Sequence, residues 1–154
     1  MALSVGQKAP EFDVVSSDGK ALKLRDFAGK KNVVLYFYPG DFTPICTKET
    51  CGFRDMYADL ESKDTEVIGV SIDSDESHKK FSSEYNVQFA LVSDKNRELA
   101  KAYGATSLLA SILGKAGRVT YVIDKTGMIA AAFQGELSAT KHVDGVKKAI
   151  QALA

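Results

Sequence analysis

The pattern of apolar positions along the chain predicts three buried strands. Residues 32–38 form a nearly continuous apolar run that the Pro-Gly-Asp at 39–41 ends, and such runs suit a strand covered on both faces. Residues 66–72 and 119–123 show the same pattern. A turn-forming Asp-Lys-Thr-Gly then joins the third run to further apolar residues up to position 133, which predicts a hairpin.

Residues at helical spacing lie between and after these strands. Residues 74–85 begin with a Ser cap and early acids, and residues 95–103 end at Gly104; these signals are typical of helix ends. Residues 106–117 fit either a short helix or an apolar flap. Two amphipathic stripes occur at Phe53, Met56, Tyr57 and Leu60 and at Val143, Val146, Ile150 and Leu153. The alternation of strands and helices predicts an α/β sandwich.

Length and charge narrow the classes of function. The 154 residues contain no repeat, low-complexity segment or linker, so we expect a single domain over residues 1–154. Twenty basic residues balance 20 acidic ones, which gives no electrostatic reason to expect nucleic acid or an anionic membrane as partner. The N-terminus does not resemble a secretory signal, and no window reaches the roughly 20 apolar residues of a membrane helix. We therefore expect a cytoplasmic location.

Both cysteines of the chain, Cys46 and Cys51, lie where a helix is predicted to begin. Thr43 suits the N-cap and Pro44 the first helical position, which makes Cys46 the third residue of the helix. A thiolate there faces unpaired backbone N–H groups and the positive end of the helix dipole, and these conditions favour reactivity. In a reducing compartment, such a close pair indicates chemistry or metal binding more often than a structural disulfide.

Helix geometry separates the two cysteines. Cys46 is expected within roughly 20° of Phe53 on the apolar stripe, and Cys51 roughly 160° away on the opposite face. Residues five apart in a helix have Cα atoms about 8–9 Å apart, whereas a disulfide tolerates about 7 Å at most. The segment is therefore either irregular or able to unwind. Gly52 would assist unwinding, because it weakens a helix by about 1 kcal/mol relative to Ala.

Other interpretations of the cysteines stay open at this point. They could be two unreactive thiols, one buried and one exposed. A metal site usually needs four ligands, so it would require His78 and His142, and a Cys/His hydrolase would need one of them beside Cys46. Both histidines lie on predicted helices among polar neighbours, and we expect them to be solvated.

Residues 37–55 carry a specific motif. They contain P-x-x-x-T-x-x-C at Pro39, Thr43 and Cys46, and a second cysteine, Cys51, follows five residues later. This stretch resembles the active site of the peroxiredoxins. The C-x-x-x-x-C spacing is similar to that of the Q group, also called bacterioferritin comigratory proteins.

The resemblance extends over nearly the whole chain. Residues 117–124, which include Arg118, resemble the family's second signature, and residues 6–12 also fit. The resemblance implies a thioredoxin-like α/β fold, with a central mixed β-sheet flanked by helices. It implies no metal, haem or flavin. Q-type relatives are often monomers, so a monomer is expected, with a dimer contact through residues 108–113 left open.

The resemblance also implies a role for each motif residue. Cys46 would be the peroxidatic cysteine, which attacks the peroxide and becomes a sulfenic acid. Thr43 would orient peroxide or thiolate, Arg118 would stabilise the thiolate and the developing charge, and Pro39 would shield the site from water. Cys51 would condense with the sulfenic acid to a disulfide. Thioredoxin or a similar dithiol donor would reduce that disulfide, and the hydroperoxide substrate would be hydrogen peroxide or an organic hydroperoxide.

Three points remain as alternatives. Glu49 also fits the Q-group pattern, but an acid in the first helical turn would be stabilising in any case. A thioredoxin-like disulfide carrier shares the fold, although it usually needs a C-x-x-C motif, which the chain lacks. A redox-sensing binding module could use the apolar residues 108–113.

Overall fold

The structure, a computed structural model, describes residues 3–105, 118–135 and 139–153. Near the N-terminus, β1 (Asp13–Val15) and β2 (Ala21–Lys23) form an antiparallel hairpin. The five strands of the central sheet are β3 (Asn32–Phe37), β4 (Thr65–Ser71), β5 (Ala90–Ser93), β6 (Val119–Ile123) and β7 (Ile129–Gln134). They lie in the order β5-β4-β3-β6-β7, with the β3–β4 and β4–β5 pairs parallel and the other two pairs antiparallel. The predicted mixed sheet is confirmed.

Helices cover both faces of this sheet. They are α1 (Pro44–Asp55), α2 (Tyr57–Ser62), α3 (Asp75–Tyr85), α4 (Glu98–Ala102) and α5 (Ala139–Leu153), with a short 3-10 turn at Leu24–Asp26. Within the part of the chain that the structure describes, none of the helices has the length and apolar character needed to cross a membrane. Residues 106–117, for which the sequence allows a helix or a flap, lie outside the described residues.

Strand β3 explains why its sequence is continuously apolar. Alternate residues point to opposite faces of a sheet. Val33 and Leu35 pack into a core that includes side chains of α4 and of the N-terminal hairpin. Val34 and Tyr36 pack into a second core with side chains of α1, α2 and α5. Every residue of β3 is buried, which confirms the prediction of a strand covered on both faces.

Several predicted boundaries differ from the observed ones. The stripe that begins at Phe53 belongs to two helices, because the backbone leaves helical geometry at Met56 (φ −98°, ψ 5°). Helix α4 starts only after Arg97, whose backbone is left-handed (φ 56°). Its end is as predicted: Gly104 has φ 61°, a conformation that glycine adopts without strain. Leu153 ends its stripe 40% exposed, so the apolar face of α5 is not buried along its whole length.

The prediction that both histidines are solvated is wrong. His78 on α3 and His142 on α5 are each 0% exposed. Their polar sequence neighbours lie on other faces of the same helices, while the two rings face the sheet. His142 precedes Val146 and Ile150 by four and eight residues, which is the spacing of one helical face. A buried imidazole needs polar partners from other elements, and both rings have them.

Candidate active site

The loop between β3 and α1 delivers Cys46 to the carboxyl edge of the sheet. Pro39 is half-buried at the end of the strand. Thr43 occupies the predicted N-cap with extended backbone (φ −77°, ψ 148°), and Pro44 is the first helical residue. The Thr43 hydroxyl makes no capping bond within the described residues, however; it donates to the Gly40 carbonyl at 2.8 Å. This bond closes the loop, and it leaves the hydroxyl oxygen able to accept.

A buried carboxylate holds this loop against α3. The Asp41 backbone N–H donates to Asp73 at 2.8 Å. The Asp41 carboxylate receives hydrogen bonds from Tyr38 at 2.7 Å and Ser77 at 2.9 Å, and its Oδ2 lies 2.7 Å from His78 Nδ1. Because four contacts converge on one residue, the entry to α1 is fixed in position.

Arg118 brings the second sequence signature to Cys46. In the antiparallel register, Phe37 at the end of β3 lies opposite Val119 at the start of β6, so Arg118 lies beside the loop. Its Nη2 donates to Cys46 Sγ at 3.0 Å, and its Nη1 donates to Glu49 Oε1 at 2.7 Å. Cys46 is 1% exposed and Arg118 3% exposed. One guanidinium therefore bridges a buried thiol and a buried carboxylate.

Glu49 is more than the first-turn acid that the sequence allows. It is the sixth residue of α1 and 0% exposed, too far along the helix to act on its N-terminal dipole. Since it follows Cys46 by three residues, it lies on the same face of the helix. Burial raises the pKa of Glu49 to about 7, against the opposing charge and hydrogen bonds of Arg118. Burial lowers the pKa of Arg118, but the charges of Glu49 and Cys46 outweigh it, so that the net shift is upward.

This arrangement can be compared with known proteins. The model of the AhpC/TSA family matches residues 5–132. The chain belongs to this family. It is 41% identical over 148 residues to a chloroplastic peroxiredoxin Q of Populus jackii, covering 96% of this chain and 68% of that protein. It is 43% identical over 137 residues to a putative peroxiredoxin bcp of Coxiella burnetii, covering 86% of this chain and 89% of that protein.

Solved structures of the same family share the fold. Peroxidoxin BcpB of Mycobacterium tuberculosis superimposes with a TM-score of 0.88 at 28% identity, covering 99% of both chains. The bacterioferritin comigratory protein of Xanthomonas campestris gives a TM-score of 0.86 at 27% identity, covering 97% of this chain and 99% of that chain. The resemblance to Q-type peroxiredoxins and the thioredoxin-like fold are thus confirmed. As a peroxiredoxin, the chain is a thiol peroxidase, an oxidoreductase that takes a hydroperoxide and a thiol reductant.

The second cysteine of this peroxiredoxin lies away from the first. Both cysteines are free thiols, and both lie in α1, where regular geometry keeps their Cα atoms about 8–9 Å apart. Cys51 is half-buried rather than exposed. It lines a cleft between α1 and α5, together with Gly52 and Val143. The structure thus contains the separated pair that the sequence geometry predicts.

Two polar residues join the site without having been predicted from the sequence. Thr120 and His142 are both 0% exposed. Thr120 Oγ1 lies 2.7 Å from His142 Nδ1, and the same nitrogen lies 3.6 Å from Glu49 Oε2. The available signals were weak: Thr120 shares a strand face with Arg118 by two-residue spacing, and His142 shares a helix face with Val146.

Proposed function

We propose that the chain reduces hydrogen peroxide and organic hydroperoxides by direct attack of Cys46 on the terminal peroxide oxygen. The observation that carries this proposal is the 3.0 Å contact between Arg118 Nη2 and Cys46 Sγ in a buried site. A guanidinium at this distance stabilises a thiolate, the nucleophilic form of cysteine. The relative from Xanthomonas campestris is described in connection with alkyl peroxide reduction activity, which supports organic hydroperoxides as substrates.

Attack forms a bond between sulfur and oxygen, breaks the O–O bond and places negative charge on the leaving oxygen. Hydrogen-bond donors that already point at the leaving oxygen before the reaction lower the activation barrier most. Arg118 can fill this role, since its position is fixed by Glu49. The Thr43 hydroxyl lies three residues before the thiol and can accept from the peroxide while it donates to Gly40. Pro39 would limit the entry of water from the strand side of the loop.

Cys51 would then attack the Cys46 sulfenic acid to form a disulfide and release water. In the intact helix the two Cα atoms are about 8–9 Å apart, beyond the roughly 7 Å that a disulfide tolerates. Part of α1 must therefore unwind. Gly52, which adjoins Cys51, lowers helix stability locally, and regular helical geometry ends at Met56.

The disulfide must be reduced before the next cycle. Thioredoxin or a similar dithiol is the proposed donor, because a dithiol can attack the disulfide and then release itself by forming its own. This cycle requires a reducing compartment, and we propose the cytosol. The monomer suffices for the chemistry, because both cysteines and Arg118 belong to one chain.

Intact mass after one equivalent of hydrogen peroxide tests the assignment of both cysteines. The wild type should lose about 2 Da as the disulfide forms, whereas Cys51→Ser should gain about 16 Da as a trapped sulfenic acid. Cys46→Ser is the matched control and should change in neither way. Peroxide-driven turnover by Cys46→Ser, or no mass change in the other two proteins, would refute the assignment.

A further inference from the structure

His142 lies directly behind Glu49, and both of its ring nitrogens have polar neighbours. Nε2 is 2.9 Å from the Gly135 carbonyl oxygen. A carbonyl only accepts, so Nε2 carries a hydrogen. Nδ1 is 2.7 Å from the Thr120 hydroxyl. In the neutral ring, Nδ1 therefore carries a single lone pair, which can accept either from the Thr120 hydroxyl or, when that hydroxyl turns away, from a proton on a neighbouring acid.

The second carboxylate oxygen of Glu49 faces this same nitrogen. Oε2 is buried and has no hydrogen-bond partner among the residues that the structure describes, and it lies 3.6 Å from His142 Nδ1. If the carboxyl group is ionised and the ring is neutral, two lone pairs face each other in a site closed to water. A proton on either atom removes that conflict, because it supplies the missing donor.

The charge of the neighbouring thiol decides how strongly this proton is held. With Cys46 as thiolate, the buried charges of Cys46, Arg118 and Glu49 sum to −1, and one added proton makes the site neutral. With Cys46 as sulfenic acid or disulfide, Arg118 and Glu49 already balance, and the same proton would leave the site at +1. Uncompensated buried charge is costly, so the thiolate state favours the proton and the oxidised state disfavours it.

The ionisation of the two residues agrees with this geometry. Burial raises the pKa of Glu49 to about 7. Burial, together with the charges of Arg118 and Lys141, lowers the pKa of His142, although the bond to Gly135 opposes this. The proton therefore rests mainly on Glu49. The ionisable groups facing the pair are Cys46 on α1, Tyr36 on β3, Arg118 before β6 and Lys141 on α5.

We propose that Glu49 and His142 form a proton-binding pair that holds one proton while Cys46 is a thiolate and releases it when peroxide oxidises Cys46. This rests on the proposed role of Cys46. The step is Cys46–S⁻ + ROOH + H⁺ → Cys46–SOH + ROH: the sulfur electron pair forms the S–O bond, the O–O bond breaks, and the leaving RO⁻ takes one proton. The pair releases an equivalent proton, so less is drawn from solvent. Glu49 and His142 are positioning residues in this scheme, because they act through Arg118 and charge balance.

The test counts protons in a single turnover. Reduced Cys51→Ser protein, which stops at the sulfenic acid, is mixed with limiting hydrogen peroxide in weak buffer containing a pH indicator. Proton uptake is divided by the amount of sulfenic acid measured by mass spectrometry. It is then corrected for the fraction of Cys46 that is a thiolate before mixing, which ultraviolet absorbance measures. Because the pKa of Glu49 is raised to about 7, we expect uptake of less than one proton per sulfenic acid at pH 6.5, rising toward one at pH 8, where the pair holds little proton to release.

Two variants in the same background decide the outcome. Glu49→Gln keeps an oxygen for Arg118 but cannot bind the proton, so uptake should be about one at both pH values. His142→Gln replaces the ring by an amide whose NH2 can donate to Glu49 Oε2 and so favour the ionised carboxylate, and the rise in uptake should therefore shift to lower pH. Glu61→Gln, at an exposed position of α2, is the matched control and should behave as the parent.

The results separate this inference from the proposed function. Uptake that follows the parent in both Glu49→Gln and His142→Gln would overturn the inference while leaving the role of Cys46 intact. If the parent forms no sulfenic acid at Cys46, both ideas fail. Should one variant not fold, the other decides alone: a parental pH dependence in it refutes the pair.

Discussion

Gly52 lies where α1 and α5 approach each other closely, beside Cys51, and its replacement tests whether α1 must unwind for the disulfide to form. Two effects of opposite sign act on Gly52→Ala. Alanine would stabilise the helix by about 1 kcal/mol. An added Cβ would stand 2.8 Å from Val143 Cγ2 and 3.2 Å from Cγ1, and overpacking of this kind costs about 1–3 kcal/mol. The single variant therefore mixes the two effects.

A second substitution separates them. Val143→Ala removes both methyl groups that the new Cβ would meet, so a comparison of Gly52→Ala/Val143→Ala with Val143→Ala alone leaves mainly the helix effect. If the residues around Gly52 unwind before Cys51 reaches Cys46, about 1 kcal/mol of added helix stability should slow disulfide formation about fivefold. The attack of Cys46 on peroxide should keep its rate, because the first turn of α1 is unchanged.

Rapid quenching with a thiol-alkylating reagent, followed by intact mass, measures the two steps separately. The sulfenic acid appears first and the disulfide later, and urea unfolding reports whether the double variant has gained the expected stability. Equal rates of disulfide formation in the two proteins, despite that gain, would refute the requirement for unwinding around Gly52. A slower peroxide step instead would show that Gly52 acts on the Cys46 pocket.

Substitutions at three other positions test the site and the fold. Arg118→Lys keeps the charge, but a single ammonium cannot replace a guanidinium that contacts both Cys46 and Glu49. Oxidation of Cys46 by peroxide, measured by stopped flow, should therefore slow about 100-fold. An unchanged rate would contradict the role of Arg118. The pKa of Glu49 is about 7 in the folded protein against an ordinary 4.5, so the folded state binds this proton more tightly than the unfolded state does. The free energy of unfolding should therefore fall by on the order of 3 kcal/mol as pH rises from about 4.5 to 7. Glu49→Gln should remove that loss in urea unfolding at pH 5 and pH 8, whereas parallel pH profiles would contradict the shift. Asn86 closes α3 in the left-handed conformation (φ 54°, ψ 45°); Asn86→Gly should stabilise the protein and Asn86→Ala destabilise it, each by up to about 1 kcal/mol, and the reverse order would be evidence against this strain.

The sequence correctly predicted the elements whose conformation depends on residues nearby in the chain. The run through β3 and the Thr43-Pro44 start of α1 follow from burial and from backbone geometry near the residue itself. The contact between Arg118 and Cys46 joins residues 72 positions apart, and it depends on the antiparallel register of β3 and β6. In the sequence, only the resemblance to the peroxiredoxins linked Arg118 to Cys46. The short strands β1, β2 and β5 offered too few alternations for a periodic signal.

The burial of the two histidines could not be predicted from the sequence for a different reason. Polar neighbours in sequence say little about a helix face, because residues next to each other in the chain point about 100° apart. A buried polar side chain is specified by partners on other elements, and those of His142 come from Gly135, Thr120 and Glu49. His142 was predicted to be solvated although its helical spacing to Val146 matches the buried face, and nothing local indicated which polar groups would meet it there.

The start of α1 is tied to neighbouring elements, while a glycine in its later part favours unwinding, and this difference assigns the moving partner. At the start, Asp41 is held by contacts from four residues, which lie directly after β3, in the loop before α3 and on α3 itself. Cys46 itself is bound by Arg118. Toward the other end, Gly52 weakens the helix, and Met56 interrupts it. Because Arg118 binds Cys46, whereas the glycine beside Cys51 favours unwinding, the sulfenic acid should stay in its pocket while Cys51 moves to it. Substitutions near Gly52 should therefore change the second chemical step without changing the first.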